Sequence, residues 1–187
     1  MQKLNEFKLP INFRGRSPII VQLWWIVDFW FFKSSPQIMY GWRRWLLRLF
    51  GAKIGKNVII RPSATVTYPW KVNIGENCMI GDDVNLYSLG EIEIGNNVVV
   101  SQKCYLASAS HDYDKESFPI WSKKITIEDG CWLAADVYVG PGVNIGENTV
   151  VGARSSVFKD LPANKICVGT PAQVIKSRVF KNLNAQE

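Results

Sequence analysis

The sequence predicts an all-β solenoid, a parallel β-helix, with an α-helical N-terminal segment and a short C-terminal tail. Three observations predict it. Aliphatic residues recur every six positions: Ile54, Ile60, Val66; Ile74, Ile80, Leu86; Ile94, Val100, Leu106; Ile127, Leu133, Val139; Ile145, Val151, Val157. Four positions after most of them stands a small or β-branched residue, such as Val58, Ala64, Cys78, Val84 or Cys104. Between them come IGEN, IGDD and IGNN, whose Gly and Asn adopt turn conformations that other residues resist. A period of six fits neither an α-helix, at about 3.6 residues per turn, nor a plain hairpin ladder. Three hexapeptides make one triangular coil of about eighteen residues.

The chain divides accordingly into an N-terminal helical cap (1–53), the β-helix (54–162) and a C-terminal tail (163–187). Within the cap, 19–32 and 38–50 read as helices, the second ended by Gly51. They close the open end of the solenoid, which otherwise exposes strand edges and core. Trp24, Trp25, Trp30, Trp42 and Trp45 are interleaved there with Arg43, Arg44, Arg48 and Lys53. That mixture also suits peripheral contact of 18–50 with an anionic membrane. The run PIIVQLWWIVDFWFF (18–32) is interrupted by Gln22 and Asp28 and falls short of the roughly 20 residues that span a bilayer. It predicts neither a span nor export.

The coils run 54–71, 74–91, 94–111, 127–144 and 145–162. Two extra residues precede the second and third coils (Val72-Asn73 and Ile92-Glu93) and read as local bulges. Trp70, Gly90 and Leu161 depart from the small-residue rule. Cys78, Cys104 and Cys131 occupy the small inward position, as core residues rather than nucleophiles. The four cysteines, Cys167 included, form no CxxC and no cluster, which argues against a disulfide framework or zinc site and for a reducing, cytoplasmic home.

His111 is the only histidine in 187 residues. It ends the third coil, where the array stops for an inserted loop, 112–126, before resuming in phase at Ile127. A long loop inside a repeat array is commonly functional. Net charge is +6 and 47% of residues are hydrophobic, a globular balance suited to an anionic ligand or surface. With no recognised module, charge alone predicts no nucleic-acid partner. A β-helix carbonic anhydrase needs three histidine ligands and is excluded; no metal is expected. An ice-binding solenoid would show Thr ladders, which are absent.

The hexapeptide array, the histidine at a loop exit, CWLAADVYVGPGVNIGENTVVGARSSVFKDLPAN and VGTPAQVIKSR resemble the left-handed β-helix acyltransferases. GWRRWLLRLFGAKIG (41–55), SLGEIEIG (88–95) and SHDYDKESFP (110–119) resemble the colanic-acid and capsule O-acetyltransferase subgroup. The likeness covers about 36 to 180. It alone implies the left hand, a homotrimer with sites between neighbouring prisms, acetyl-CoA as co-substrate, and a sugar or lipid-linked saccharide as acceptor. It implies His111 as general base and Asn85 as a group orienting the acceptor. Trp132 and Ala135 match positions lining the pantetheine channel, and Gly152 and Ala153 match main-chain contacts further along coenzyme A. Lys159, Thr170 and Pro171 match the adenine end, and Lys176 a contact to the ribose phosphate. Gln173 stands where such enzymes often carry arginine, with Arg178 as the substitute.

The chemistry fits the residue. A sugar hydroxyl is a weak nucleophile near neutral pH, and an imidazole can take its proton as it attacks a thioester. Asp112, Asp114 or a main-chain carbonyl could fix the imidazole tautomer; Asp112 is also a candidate substrate contact. Two other readings stay open: an N-acetyltransferase of an amino sugar nucleotide, and a non-catalytic scaffold.

Overall fold

In the computed structural model, residues 2–180 are described. The chain winds into a three-sided prism. The first face holds Lys53–Ile54, Val72–Ile74, Ile92–Ile94, Ile125–Ile127 and Asn144–Ile145. The second holds Ile59–Ile60, Met79–Ile80, Val99–Val100, Trp132–Leu133, Val150–Val151 and Lys165–Gly169. The third holds Thr65–Val66, Asn85–Tyr87, Tyr105–Ala107, Tyr138–Val139 and Ser156–Val157. All these strands pair in parallel; Ala172–Ser177 then folds back antiparallel on Lys165–Gly169, so the tail begins with a hairpin over 165–177. Lys181, a basic residue of that tail, lies outside the described residues.

The six-residue period works as a two-state switch between inside and outside. Every aliphatic residue of the repeat is buried, and the four-later positions Val58, Cys78, Val84, Val98, Cys104, Cys131 and Val137 fill the space between them. Burying each aliphatic side chain stabilises the coil by about 1.5–3 kcal/mol. The turns need left-handed backbone, and Asn supplies it: Asn57, Asn77, Asn97, Asn148 and Asn164 have φ between 55° and 59°.

The coil is not uniform. Ile54, Ile74 and Ile94 pair 20 residues apart, whereas Ile127 and Ile145 pair 18 apart. The two extra residues do not bulge the strands, because Val72, Ile92 and Ile125 continue the ladder in unbroken register. They lengthen instead the corner between the third and first faces. That explains two exceptions to the small-residue rule. Trp70 belongs to a short 3-10 turn, Pro69–Lys71, and Gly90 sits where a Cβ would come within 2.8 Å of the Ser108 carbonyl.

Two helices, α1 (Pro18–Val27, continued by a π-helical turn, Asp28–Phe32) and α2 (Tyr40–Leu49), close the N-terminal end. Each coil donates its N–H groups to carbonyls of the next, so the first coil's own carbonyls face an empty end. The cap supplies their donors. Arg48 bonds the Ile54 carbonyl at 2.6 Å, Arg44 the Val58 carbonyl at 2.8 Å, Arg43 the Ile60 carbonyl at 2.7 Å and the Trp24 indole the Val66 carbonyl at 2.8 Å. Arg43 is fully buried and also bonds Ser35 Oγ and the Pro36 and Gln37 carbonyls. The interleaved arginines are therefore turned into the solenoid, not outward toward an anionic surface as the sequence pattern suggested.

Candidate active site

His111 ends strand Ala109–His111, which leaves the third-to-first corner and pairs antiparallel with Ile120–Ser122. The inserted segment is thus a hairpin. Its base is pinned by the buried Ser108, whose hydroxyl bonds the Gly90 N–H at 2.8 Å and the Tyr87 carbonyl at 2.9 Å. At the tip, Phe118 bends back at φ 46°, a conformation that costs a non-glycine residue roughly 1–3 kcal/mol. That bend aims two parts of Phe118 at the histidine. Its carbonyl oxygen lies 2.9 Å from His111 Nδ1, and its ring stacks on the imidazole with centroids 4.2 Å apart and planes 7° off parallel.

A carbonyl only accepts, so Nδ1 carries the proton of the neutral ring, and Nε2 holds the free lone pair. Of the three candidates for fixing the tautomer, the main-chain carbonyl takes the part. Asp112 instead pairs with Lys115 at 2.9 Å and accepts from the Asp114 N–H at 3.2 Å, which holds its carboxyl below the usual carboxylate range. It serves the hairpin turn.

The N-terminal segment crosses the same corner. Phe13 and Arg14 are held through their carbonyls by Lys71 and the Trp70 indole. Further out, Lys3 reaches the hairpin, bonding the Glu116 carbonyl at 2.7 Å and its carboxylate at 2.6 Å. Phe7 comes within 5.9 Å of the His111 ring, centroid to centroid. Phe7 and Phe118 escaped the sequence reading. Nothing in the six-residue period links them to position 111.

Asn85 lies on the third face, in register with Thr65 and Tyr105. Its Oδ1 is buried without a hydrogen-bond partner, which leaves an acceptor uncommitted. Tyr87, Tyr105, Tyr138 and Phe158 form an aromatic ladder across this face, with centroids 5.6–6.1 Å apart.

The positions matched to coenzyme A mostly form a second column, at the corner between the second and third faces. Trp132 projects half-exposed from the second face, its indole bonding Ser101 Oγ at 3.0 Å. Ala135 and Ala153 stack in successive coils, the Arg154 N–H bonding the Ala135 carbonyl at 2.9 Å. Gly152 bonds Cys167, and Thr170 reaches Ser156 at 3.2 Å, with Pro171 beside it in the hairpin turn. The column is open and made of small residues, which fits an extended ligand laid along the edge. Lys159 lies past the third face instead. Lys176 stands exposed on the returning strand, and Arg178 is at that strand's far end, where its guanidinium bonds the Gly130 and Asn148 carbonyls at 2.9 and 3.0 Å. That commitment takes Arg178 away from the Thr170 turn.

Within one chain, then, His111 and the small-residue column occupy different corners with the third face between them. Among the described residues no group of His, Cys, Asp or Glu could hold a metal ion. Burial pushes the Cys104 and Cys131 thiols up to about 11, so neither is a ready nucleophile.

Residues 124–159 match the family model described as bacterial transferase hexapeptide (six repeats). The chain is 59% identical to WcaF of Escherichia coli (strain K12), named for an acetyltransferase of colanic acid biosynthesis, over 96% of this chain and 98% of that one. The chain belongs to the hexapeptide-repeat acyltransferase family. It is also 31% identical to the galactoside O-acetyltransferase of the same organism, over 72% of this chain and 68% of that one. Among solved structures, the hexapeptide-repeat acetyltransferase VCA0836 of Vibrio cholerae in complex with acetyl coenzyme A superposes with a TM-score of 0.80. It has 25% identity and covers 89% of this chain and 92% of that one. Galactoside acetyltransferase in complex with coenzyme A gives 0.77 at 26% identity, covering 86% and 81%. The prism is accordingly the left-handed parallel β-helix.

Proposed function

We propose that this acyltransferase is an acetyl-CoA-dependent O-acetyltransferase. Its acceptor is a sugar hydroxyl of a surface polysaccharide or of that polymer's lipid-linked precursor. The observation that carries the reading is the state of His111: Nδ1 is tied to the Phe118 carbonyl and Nε2 is left as a base. Nε2 takes the hydroxyl proton as the sugar oxygen attacks the thioester carbonyl carbon. The C–S bond of the tetrahedral intermediate then breaks, and the imidazolium returns the proton to the departing thiolate. The acetyl group passes directly to the sugar, with no acyl-enzyme. Phe118 holds the ring in place through both proton positions, since an imidazolium donates to the same carbonyl. Asn85, with its uncommitted Oδ1, takes a hydrogen bond from an acceptor hydroxyl.

The active unit is a homotrimer. Two of the three faces carry outward apolar columns: Ile59, Met79, Val99, Trp132, Val150 and Ile166 on the second, and the aromatic ladder on the third. The first face shows Lys53, Asn73, Glu93, Thr126 and Asn144. That asymmetry suits a prism with two covered faces and one wet one. The reading further joins one chain's His111 corner to a neighbour's small-residue column. A reaction that draws on acetyl-CoA supports a cytoplasmic location, at the inner face of the membrane where the acceptor is lipid-linked.

Calorimetric titration with acetyl-CoA, beside 3′-dephospho-CoA, tests the first half of the reading. One saturable site per chain is expected, and no binding at millimolar ligand would sink it. The second half is tested by His111→Ala, which should bind acetyl-CoA normally and lose turnover by roughly 10²–10⁴-fold. A near wild-type rate would remove His111 from the mechanism.

A further inference from the structure

The cap contains an amphipathic pattern turned inside out. The stretch 18–32 carries a single charge, Asp28, and that residue faces the protein: it is 8% exposed and pairs with Lys33 at 3.0 Å. Val21, Trp24 and Phe32 share the inward side. The outward side shows Ile19, Leu23, Ile26, Phe29, Trp30 and Phe31, with Ile19 79%, Phe29 62% and Trp30 65% exposed. A helix of a water-soluble surface turns its charges out and its apolar stripe in. This one presents apolar groups on both sides, and only Gln22 and the ends of the segment break the outward surface. A contiguous apolar surface of this kind marks a contact.

Three observations say what the contact is. The outward side carries no charge, and a cation stands at its start: exposed Arg16 precedes α1, whereas Lys33 at the other end is neutralised by Asp28. Its aromatic side chains crowd the C-terminal half, where Phe29 and Trp30 meet edge-to-face at 5.0 Å. Its direction is axial, because Trp24 reaches the first-coil carbonyl of Val66 from the prism's open end, so the opposite side of the helix points away from the coil. A neighbouring prism laid alongside would use the second and third faces and leave this end free. Two copies meeting end to end would leave Arg16 with no anionic partner on this patch, since Asp28 is buried and already paired with Lys33. No helix among the described residues is long and apolar enough to cross a membrane.

We infer that the outward side of residues 18–32 is a membrane-docking surface. It inserts Ile19, Leu23, Ile26, Phe29, Trp30 and Phe31 into the interfacial zone of an anionic bilayer, while Arg16 meets the lipid phosphates. The arginines of α2 take no part, because they are spent on main-chain carbonyls inside the cap. Docking by the end of the prism holds its long axis off the bilayer. The inference stands apart from the acetyl-transfer reading, since neither His111 nor the small-residue column enters it.

The test is co-sedimentation of the full chain with vesicles of phosphatidylglycerol and phosphatidylcholine, and with vesicles of phosphatidylcholine alone. The comparison protein is the double variant Phe29→Glu, Trp30→Glu, whose altered side chains are exposed. The wild type should pellet with the anionic vesicles and less with the neutral ones. The variant's partition should fall by about a hundredfold or more. Its acetyl-CoA affinity and its mass by light scattering should not change. A wild type that stays in the supernatant overturns the inference, as does a variant that binds undiminished. A variant of smaller assembly mass also overturns it, because the occupant is then another copy of the chain. Equal wild-type binding to neutral vesicles overturns the part given to Arg16.

Discussion

Two corners of one prism are written in the same hexapeptide code and behave differently. The corner between the second and third faces keeps the tight turn in coil after coil. Asp83, Lys103, Asp136 and Arg154 all adopt φ between 56° and 63° there, so small residues stack into a continuous edge. The corner between the third and first faces breaks the period twice by two residues and once by a whole hairpin. Regularity makes a long, shallow track, which suits an extended ligand. Irregularity aims a single side chain, and here it aims His111. On the proposed reading, a solenoid gains chemistry where its repeat fails, while the intact repeat offers a binding edge at another corner.

The largest expected effect comes from separating the two corners genetically. His111→Ala disables one, and Ala153→Trp should block the other by filling the open edge at an exposed position. Each variant alone is expected to be inactive. If every site joins the His111 corner of one chain to the edge of its neighbour, denaturing and refolding an equal mixture of the two should restore activity. Random assembly of a closed ring gives about a quarter of the wild-type rate. A mixture that stays as dead as its components means that both corners of a site come from the same chain, and the proposed subunit arrangement fails.

The unequal legibility of the two corners has a physical cause. The period states which residues point inward, so the coils, the buried cysteines and the Asn turns could all be read from it. His111 could be located because the period stops beside it. Its environment could not. Phe118 acts through a carbonyl and a left-handed φ that no residue identity announces, and Phe7 meets His111 across more than a hundred residues of sequence. The cap shows the same limit in charge. Arg43, Arg44 and Arg48 read as a basic surface because composition carries no direction. The unpaired carbonyls of the first coil supply the direction, and they turn the guanidinium groups inward.

A smaller effect should follow from one methyl group at the irregular corner. In Gly90→Ala the new Cβ would lie 2.8 Å from the Ser108 carbonyl and 2.9 Å from Ser122 Cβ, at the base of the hairpin that carries His111. The clash should destabilise the fold by about 1–3 kcal/mol. It should also lower kcat while leaving acetyl-CoA affinity unchanged. Gly140→Ala is the control. It occupies the same corner two coils later, where the nearest contact, the Val157 carbonyl, is an ordinary 3.4 Å away. Thermal melts and steady-state rates of the pair measure how tightly the corner is set. Equal behaviour of the two variants would mean that the hairpin's placement tolerates a shift of its base.

The smallest effect is expected beneath both corners, in the core they share. Cys104 is fully buried, its thiol 3.0 Å from the Ala134 carbonyl, and burial pushes its pKa up to about 11. A thiol whose folded pKa is raised favours the native state fully below the ordinary thiol range, and that contribution is lost as pH rises through about 11. Cys104→Ser should therefore leave turnover near neutral pH within about twofold of wild type, because the thiolate is not populated there. It should also flatten the fall in melting temperature between pH 9 and pH 11, since serine has no proton to lose in that window. Loss of turnover in Cys104→Ser with an unchanged melting temperature would point to a thiol nucleophile. The repeat would then be supplying chemistry from its regular interior, and the contrast between its two corners would no longer explain where the reaction takes place.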